Sequence, residues 1–394
     1  MLNGKTIGAV VPAYNESGLV GEVIDTLPSF VDRAYVVDDA STDDTWAEIE
    51  RHAARANEAP REDPPVSGRG VELDPRIVTI QHERNRGVGG AIKSGYARAL
   101  EDGIDVTAVV AGDGQAEPDI VARIVAPVVA GVADYSKGNR LLDRDREDMP
   151  AFRQVGNGML SLLTKIASGY WKVMDPQNGS TAISLEALEA IDIDALYEDY
   201  GFANDLLVRL NVHEMRVADV KRRSVYKDEK SHIRYSRFIP KVSVLLLRDF
   251  LWRLRAKYLV RDFHPIPFFY YLGAFGAGAG ALALLRRLAR RDGSGVADAL
   301  SLFLVGWLSM LCAMALDLEE NRDLQVLVYG ETDELLDETA SGIADGESES
   351  AVTTNEEKSN DDSSFRSSND ELNRRVIGNG HRISDRSITD IRDI

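Results

Sequence analysis

The chain has few of the residues that tie a fold to a cross-link or a structural metal. Its one cysteine, Cys312, lies in an apolar run, which excludes a disulfide framework and any cysteine-based metal site. No two of its six histidines stand four apart, so a helical zinc pair is excluded as well. Positive charge is short: 46 Lys and Arg against 64 Asp and Glu leave −18, and no nucleic-acid partner is expected. No G-x-G-x-x-G follows the first apolar run and no GxxxxGK[ST] loop occurs, which removes the dinucleotide and P-loop phosphate cradles. There is no internal repeat. Residues 1–5 run straight into the first apolar stretch, so no secretory signal is expected.

What is present is a sizeable apolar content, 44%, in 394 residues, enough for two domains or for one with appendages. The acidity is uneven. From Asp317 onward 21 acidic residues face 8 basic ones, a net of −13 that is most of the total. This low-complexity, Ser-rich stretch, 317–394, reads as a disordered acidic tail. Before it lie two uncharged apolar runs, 266–285 and 299–316, each long enough to cross ~30 Å of hydrocarbon. They read as a transmembrane hairpin over 264–316, with Gly276 and Gly280 as a small-xxx-small face for close helix approach. The alternative is a buried hairpin in a soluble protein. Five basic residues, Arg248, Arg253, Arg255, Lys257 and Arg261, precede the first run, and four arginines fill the turn. The positive-inside rule therefore leans only slightly towards a cytoplasmic N-terminal domain on a multi-pass cell-membrane protein. The basic and aromatic residues of 236–263, Trp252 and Tyr258 among them, suit an amphipathic helix in the headgroup layer.

Residues 1–235 alternate short β-branched runs with helical patterns. Strands are expected near 6–12, 33–37, 77–81, 104–110, 134–138 and 180–184, and helices near 45–56, 90–100, 118 onward, 153–169 and 202–210. A further helix follows 13–17, with Ser17 as its cap, and 57–76 is a surface insertion without a strong pattern. This order implies a mostly parallel α/β sheet with right-handed crossovers. In such sheets ligands bind at the carboxyl ends of the strands. Four of those ends carry polar residues: Tyr14, Asn15 and Glu16; Asp38 and Asp39; 85–90; and Asp113 with Gln115. Asp113 stands between glycines, where a divalent cation bridging a diphosphate would need an acid. It equally suits a cap for the helix that Pro118 opens.

In this order and spacing, VVPAYNE, VVDDAS, NRGVGGAIKSG, AGDGQAEPD, KGNR and DPQNG resemble family 2 glycosyltransferases of the GT-A fold. The similarity is to the dolichyl-phosphate mannose synthase and polyprenyl-phosphate hexosyltransferase branch, archaeal members with a C-terminal membrane hairpin included, and covers roughly 5–262. The resemblance implies a Rossmann-like, mostly parallel GT-A catalytic domain followed by the interfacial helix and the two-helix hairpin. It implies that Pro12, Ala13, Tyr14, Glu16 and Asp39 hold the nucleoside, and that Asp113 and Gln115 meet the diphosphate and a Mg²⁺ or Mn²⁺ ion. One departure stands out. The family often carries Asp-x-Asp where this chain has Ala111-Gly112-Asp113, so Asp113 is the only acid left for the metal.

Basic residues bear on the acceptor. Lys137, Arg140 and Arg153 follow the Asp113 strand, and Lys230 and Arg234 precede the interfacial helix. Arginine forks suit phosphate oxygens. The resemblance places Arg140 and Arg153 against the lipid phosphate. Asp175 and Asp205 are the other acids at candidate active-site turns, as bases or as structural ligands. The expected activity is inverting transfer of a hexose from a UDP- or GDP-sugar to a polyprenyl or dolichyl phosphate, for protein or surface glycosylation. Other glycan-assembly enzymes are the expected protein partners. Two alternatives stay open: extension of a lipid-linked oligosaccharide, and an inactive family member acting as a membrane scaffold.

Overall fold

The computed structural model describes residues 1–58, 61, 64–112, 118–139, 151–176, 178–221, 235–290 and 294–328, without the side chains of 118–119, 151–157, 235–238 and 327–328. Its elements run β1 (Ile7–Ala13), α1 (Val20–Asp25), β2 (Arg33–Asp38), α2 (Thr45–Glu58), β3 (Ile77–Gln81), α3 (Val88–Asp102), β4 (Val106–Val109) and α4 (Pro118–Val129). There follow β5 (Tyr135–Asn139), α5 (Ala151–Ser168), β6 (Thr181–Ser184), α6 (Leu185–Ala190), α7 (Phe202–Val212) and β7 (Val217–Lys221). The described elements close with α8 (Tyr235–Arg255), a π-helical turn (Ala256–Arg261), α9 (Ile266–Arg290), α10 (Val296–Glu320) and β8 (Gln325–Val328).

The eight strands form one sheet in the order β3-β2-β1-β4-β6-β5-β7-β8. All neighbours are parallel except β6, which runs antiparallel to β4 and β5. Side chains alternate across it as strand geometry requires. Ala9, Val11, Ala34 and Val36 join the layer of α1, α2 and α4, while Val10, Tyr35 and Val37 join that of α3, α6 and α7. Both faces are covered, which is why the strands read as continuous apolar runs.

The first helix starts differently from the expectation. Ser17 does not cap it; α1 begins at Val20 with no side-chain cap at Leu19. Glu48 of α2 does the work from a distance, accepting from the Gly18 amide at 2.6 Å and the Gly21 amide at 2.9 Å. A carboxylate at a helix N-terminus satisfies orphan donors and complements the dipole whichever element supplies it. The insertion after α2 is also better anchored than its composition suggests. Leu73 is fully buried, Arg61 donates to the Asp32 carbonyl at 2.9 Å, and Arg76 donates to that of Pro28 at 2.8 Å.

The expected tail boundary moves. The fold does not stop at residue 317: Asp317 and Asn321 are fully buried. Gln325–Val328 then adds a parallel edge strand to β7, with Val217 opposite Gln325 and Val220 opposite Val328. Val326 packs there against Ala126, Ala133, Ala218 and Val220. A four-residue strand flanked by acids carries too little pattern to show in sequence; its pairing partner lies about a hundred residues earlier.

Helices α9 and α10 are long and apolar enough to cross a membrane, and only 28% and 17% of their most apolar windows are buried. That exposure suits a membrane hairpin better than the core hairpin of a soluble protein. Gly273, Gly276 and Gly280 of α9 and Gly306 of α10 are buried at the helix crossing. Helix α8 buries Val242, Leu245, Leu246 and Leu254 and exposes Ile239, Val244, Leu247 and Leu251.

Candidate active site

The sheet order fixes where a ligand can lie. The chain builds β2 and β3 on one side of β1 and then returns to lay β4 on the other, so the order reverses between β1 and β4. The crevice at the carboxyl ends of those two strands is the switch point of the fold. The Val110 amide donates to the Val10 carbonyl at 2.9 Å, carrying the pairing past the end of β4. At Gly112 a Cβ would stand 2.8 Å from the Pro12 carbonyl oxygen, so the backbones meet where only glycine fits. Asp113 and Gln115 come next and lie outside the described residues.

The same edge collects the other motifs. Thr181, at the start of antiparallel β6, pairs with both Val109 and Lys137, so the turn 175–180 opens on the edge where β4 and β5 end. Asn139 pairs with Lys221, which brings the end of β7 there too. Arg140, Lys230 and Arg234, beyond β5 and β7, lie outside the described residues; Arg153 is in the first turn of α5 and its side chain lies outside them.

At the carboxyl ends of β1 and β2 the loops are stitched together. The Asn15 side-chain oxygen accepts from the Thr42 amide at 2.8 Å, the Asn15 amide donates to Ser41 at 2.9 Å, and the Glu16 amide donates to Thr45 at 2.8 Å. Tyr14 is left exposed at the end of β1 beside Ala13 and Pro12. Asp39 is almost fully buried. Its Oδ1 meets His82 Nδ1 at 2.7 Å and accepts from the Arg86 amide at 2.8 Å, and its Oδ2 accepts from the Gly87 amide at 2.7 Å. His82 Nε2 lies 2.8 Å from the Ser94 hydroxyl. Sequence reasoning missed His82 and Ser94; the signal was a histidine one residue beyond a strand end. Glu198 pairs with Arg86 and Lys93, its carbonyl accepts from the Gly90 amide at 2.9 Å, and its bond to Arg86 holds its carboxyl below the usual range. The glycines at 87–90 therefore admit the backbone at 198, and the turn is a packing surface.

Three sequence expectations meet other partners. Lys137 is fully buried, 3.1 Å from Asp219 and bonded to the Met174 carbonyl, so it cannot serve as an acceptor-side cation. Burial pushes the Asp219 carboxyl above its usual range in spite of that lysine. Asp175, at φ +47°, closes a turn: its carbonyl accepts from the Asn178 amide at 3.1 Å and its Oδ2 from the Asn178 side chain at 3.3 Å. Asp205 is 1% exposed; its Oδ2 accepts from the Tyr197 amide at 2.8 Å and from Arg209 Nε at 3.1 Å. Those bonds use Asp205 to hold the start of α7.

Asp249 of α8 faces Asp205 and carries a buried Oδ2 without a hydrogen-bond partner, while Oδ1 accepts from Arg248. Burial, and then the Asp205 charge, push its carboxyl up to about 6. The unfolded value is about 3.9. A raised carboxyl pKa stabilises the fold below the unfolded value and loses that contribution as pH rises through the folded one. Asp249→Asn should therefore raise unfolding stability at pH 8 by up to about 3 kcal/mol, and the gain should vanish near pH 3.5. Urea titrations of both proteins in detergent across that window measure it; a gain that does not change with pH would contradict this charge balance.

Residues 9–192 match the family model described as Glycosyl transferase family 2. They are a glycosyl transferase family 2 domain. The glycosyltransferase is 28% identical over 229 residues to the UDP-N-acetylglucosamine–dolichyl-phosphate N-acetylglucosaminyltransferase of Methanococcus voltae, covering 57% of this chain and 87% of that one. It is 29% identical over 219 residues to the undecaprenyl-phosphate mannosyltransferase of Micrococcus luteus, covering 54% and 80%. Among solved structures, glucosyl-3-phosphoglycerate synthase from Mycobacterium tuberculosis with Mg²⁺ and UDP is similar at 20% identity, covering 64% and 79%, with a TM-score of 0.45. The glycosyltransferase domain has a mixed and mostly parallel sheet between helical layers. Among the described residues no group of three or more His, Cys, Asp or Glu could hold a metal ion.

Proposed function

We propose that this glycosyltransferase moves a hexose from a UDP- or GDP-sugar onto a polyprenyl or dolichyl phosphate at the membrane surface, with inversion. One observation carries the reading. The ends of β1, β2, β4, β5 and β7 and the start of β6 share one edge, and two segments leaving it lead into α5 and α8, a pair that exposes large apolar side chains. Met159 and Leu162 of α5 and Val244 and Leu247 of α8 are more than half exposed. A hydrophilic donor site thus stands beside a surface suited to lipid, and both relatives named above use a lipid phosphate by name.

In this reading Pro12, Ala13, Tyr14, Glu16 and Asp39 hold the nucleoside, and Asp113 and Gln115 stand at the diphosphate. The donor set suits Mg²⁺ or Mn²⁺ held by Asp113 and by diphosphate oxygens, since Mg²⁺ is commonly bound by one or two carboxylates plus phosphate. When bound, such an ion would neutralise charge on the leaving diphosphate. A phosphate monoester has a second pKa near 6, so the acceptor oxygen is already an anion at neutral pH. It attacks the anomeric carbon in line, the bond to the nucleoside diphosphate breaks, and no base has to take a proton. Arg140, Arg153, Lys230 and Arg234 would hold that phosphate, and the ties on Asp205 leave it to structure. Helices α9 and α10 would span the membrane with the catalytic domain on the cytoplasmic side.

Arg140→Ala and Arg153→Ala should each raise the KM for a short polyprenyl phosphate by at least tenfold and move the KM for the nucleotide sugar by less than twofold. Asp205→Asn should cost far less than Asp113→Ala. Steady-state transfer with each substrate varied in turn decides the matter. If Asp205→Asn is as inactive as Asp113→Ala while both arginine variants keep their lipid KM, the acceptor is a sugar hydroxyl that needs a base.

A further inference from the structure

Asp39 lies directly after β2, and its amide donates to the Ala13 carbonyl at 2.9 Å, which sets the residue beside the end of β1. An ionised carboxylate only accepts, at about two positions on each oxygen. Among the described residues, Asp39 Oδ1 takes two donors, His82 Nδ1 at 2.7 Å and the Arg86 amide at 2.8 Å, and Oδ2 takes one, the Gly87 amide at 2.7 Å. His82 is fixed as a donor from behind. Arg86 Nη1 donates to the Ser94 hydroxyl at 3.3 Å, and that hydroxyl, 2.8 Å from His82 Nε2, gives its own proton to the ring. Nδ1 then carries the proton that faces Asp39. The side chains of Asp39 and His82 are only 3% and 7% exposed, so bulk water does not compete for the bond between them.

Oδ1 is therefore filled, and Oδ2 keeps one acceptor position. The two nucleosides named above make different demands on it. Uracil presents a single donor, N3–H, between two carbonyl oxygens. Guanine presents N1–H and N2–H side by side, a pair that matches both oxygens of a free carboxylate. With Oδ1 occupied, guanine would have to leave one donor unpaired in a nearly closed site or displace His82 from its bond. A site that pairs every polar group of one ligand rejects another whose group it leaves buried and unpaired.

We propose that the sugar donor is a uridine rather than a guanosine diphosphate sugar, selected by the one acceptor position that His82 and the amides of Arg86 and Gly87 leave on Asp39. This rests on the reading that Asp39 holds the nucleoside. Calorimetric titration of the full chain in detergent with Mg²⁺ and UDP, GDP or N3-methyl-UDP tests it. UDP should bind at least tenfold more tightly than either of the others. His82→Ala, which opens a second position on the carboxylate, should narrow the ratio of UDP to GDP affinity at least threefold. His82→Asn, whose amide can donate in place of Nδ1, should keep that ratio. If the alanine variant fails to fold, the wild-type comparison of the three nucleotides decides alone. GDP bound as tightly as UDP while N3-methyl-UDP is rejected leaves Asp39 on the base and overturns the selection, as does an unchanged ratio in folded His82→Ala. N3-methyl-UDP bound as tightly as UDP, or no binding of any of the three, overturns the nucleoside reading of Asp39 and this proposal with it.

Discussion

Replacing Asp113 by alanine is expected to lower glycosyl transfer by about 10²–10³-fold, the equivalent of ~3–4 kcal/mol of transition-state stabilisation, and to leave the fold intact. The strand that leads to it is held without it: Val106, Ala108, Val109 and Val110 are buried, and Val110 is bonded across to Val10. Gly112 brings the chain against Pro12 at the switch point, one residue before Asp113 in the sequence. With Ala111 in place of the family's other acid, no second carboxylate in the motif could take over. The competing account makes Asp113 a cap for α4. A lost cap costs ~1 kcal/mol of stability and nothing in turnover. Transfer rates and urea midpoints, measured on the same preparation, separate the two: near-normal turnover with a lowered midpoint would show that Asp113 is a cap.

Ending the chain at residue 316, where composition puts the start of the tail, should cost at least ~3–5 kcal/mol of stability, the range found when one partner of a buried ion pair is removed. Arg253 would lose the carboxylate that neutralises it, Lys257 would lose Asn321, and β7 would lose its neighbour. Ending it at residue 328 keeps all of these and should leave stability and membrane-bound transfer unchanged. Thermal unfolding of both truncations in one detergent checks the pair. Equal midpoints would mean that the return of the chain into the sheet contributes nothing.

Which parts of this were legible in the sequence follows from how local the determinants are. The strands β1 to β4 and helix α3 could be placed because apolar runs stop at turn residues, and the run 77–81 coincides with β3. The alternation of strands and helices implies that the strand ends share one edge, and the register of β1, β4, β5, β6 and β7 places those ends together. What escaped depends on contacts distant in the chain. No local pattern tells that Thr181–Ser184 runs antiparallel, or that Glu48 rather than Ser17 serves the start of α1. Lys137 reads as a phosphate ligand until Asp219, 82 residues later, is seen beside it. Arg253 and Lys257 read as headgroup cations before a transmembrane run, and their burial depends on an acid and an amide at the far end of the hairpin.

The central claim is that a sugar is placed on a lipid phosphate, and the mass of the product tests it most directly. Membranes carrying the full chain, and membranes carrying the Asp113→Ala variant, are incubated with undecaprenyl phosphate and each of UDP-N-acetylglucosamine, UDP-glucose and GDP-mannose. Their lipids are then extracted and analysed by mass spectrometry. The account predicts one new species, heavier than undecaprenyl phosphate by a single sugar residue, formed from one donor and absent with the variant. Sugar appearing only as an increment on glycans already linked to lipid, with undecaprenyl phosphate left unmodified, would contradict it.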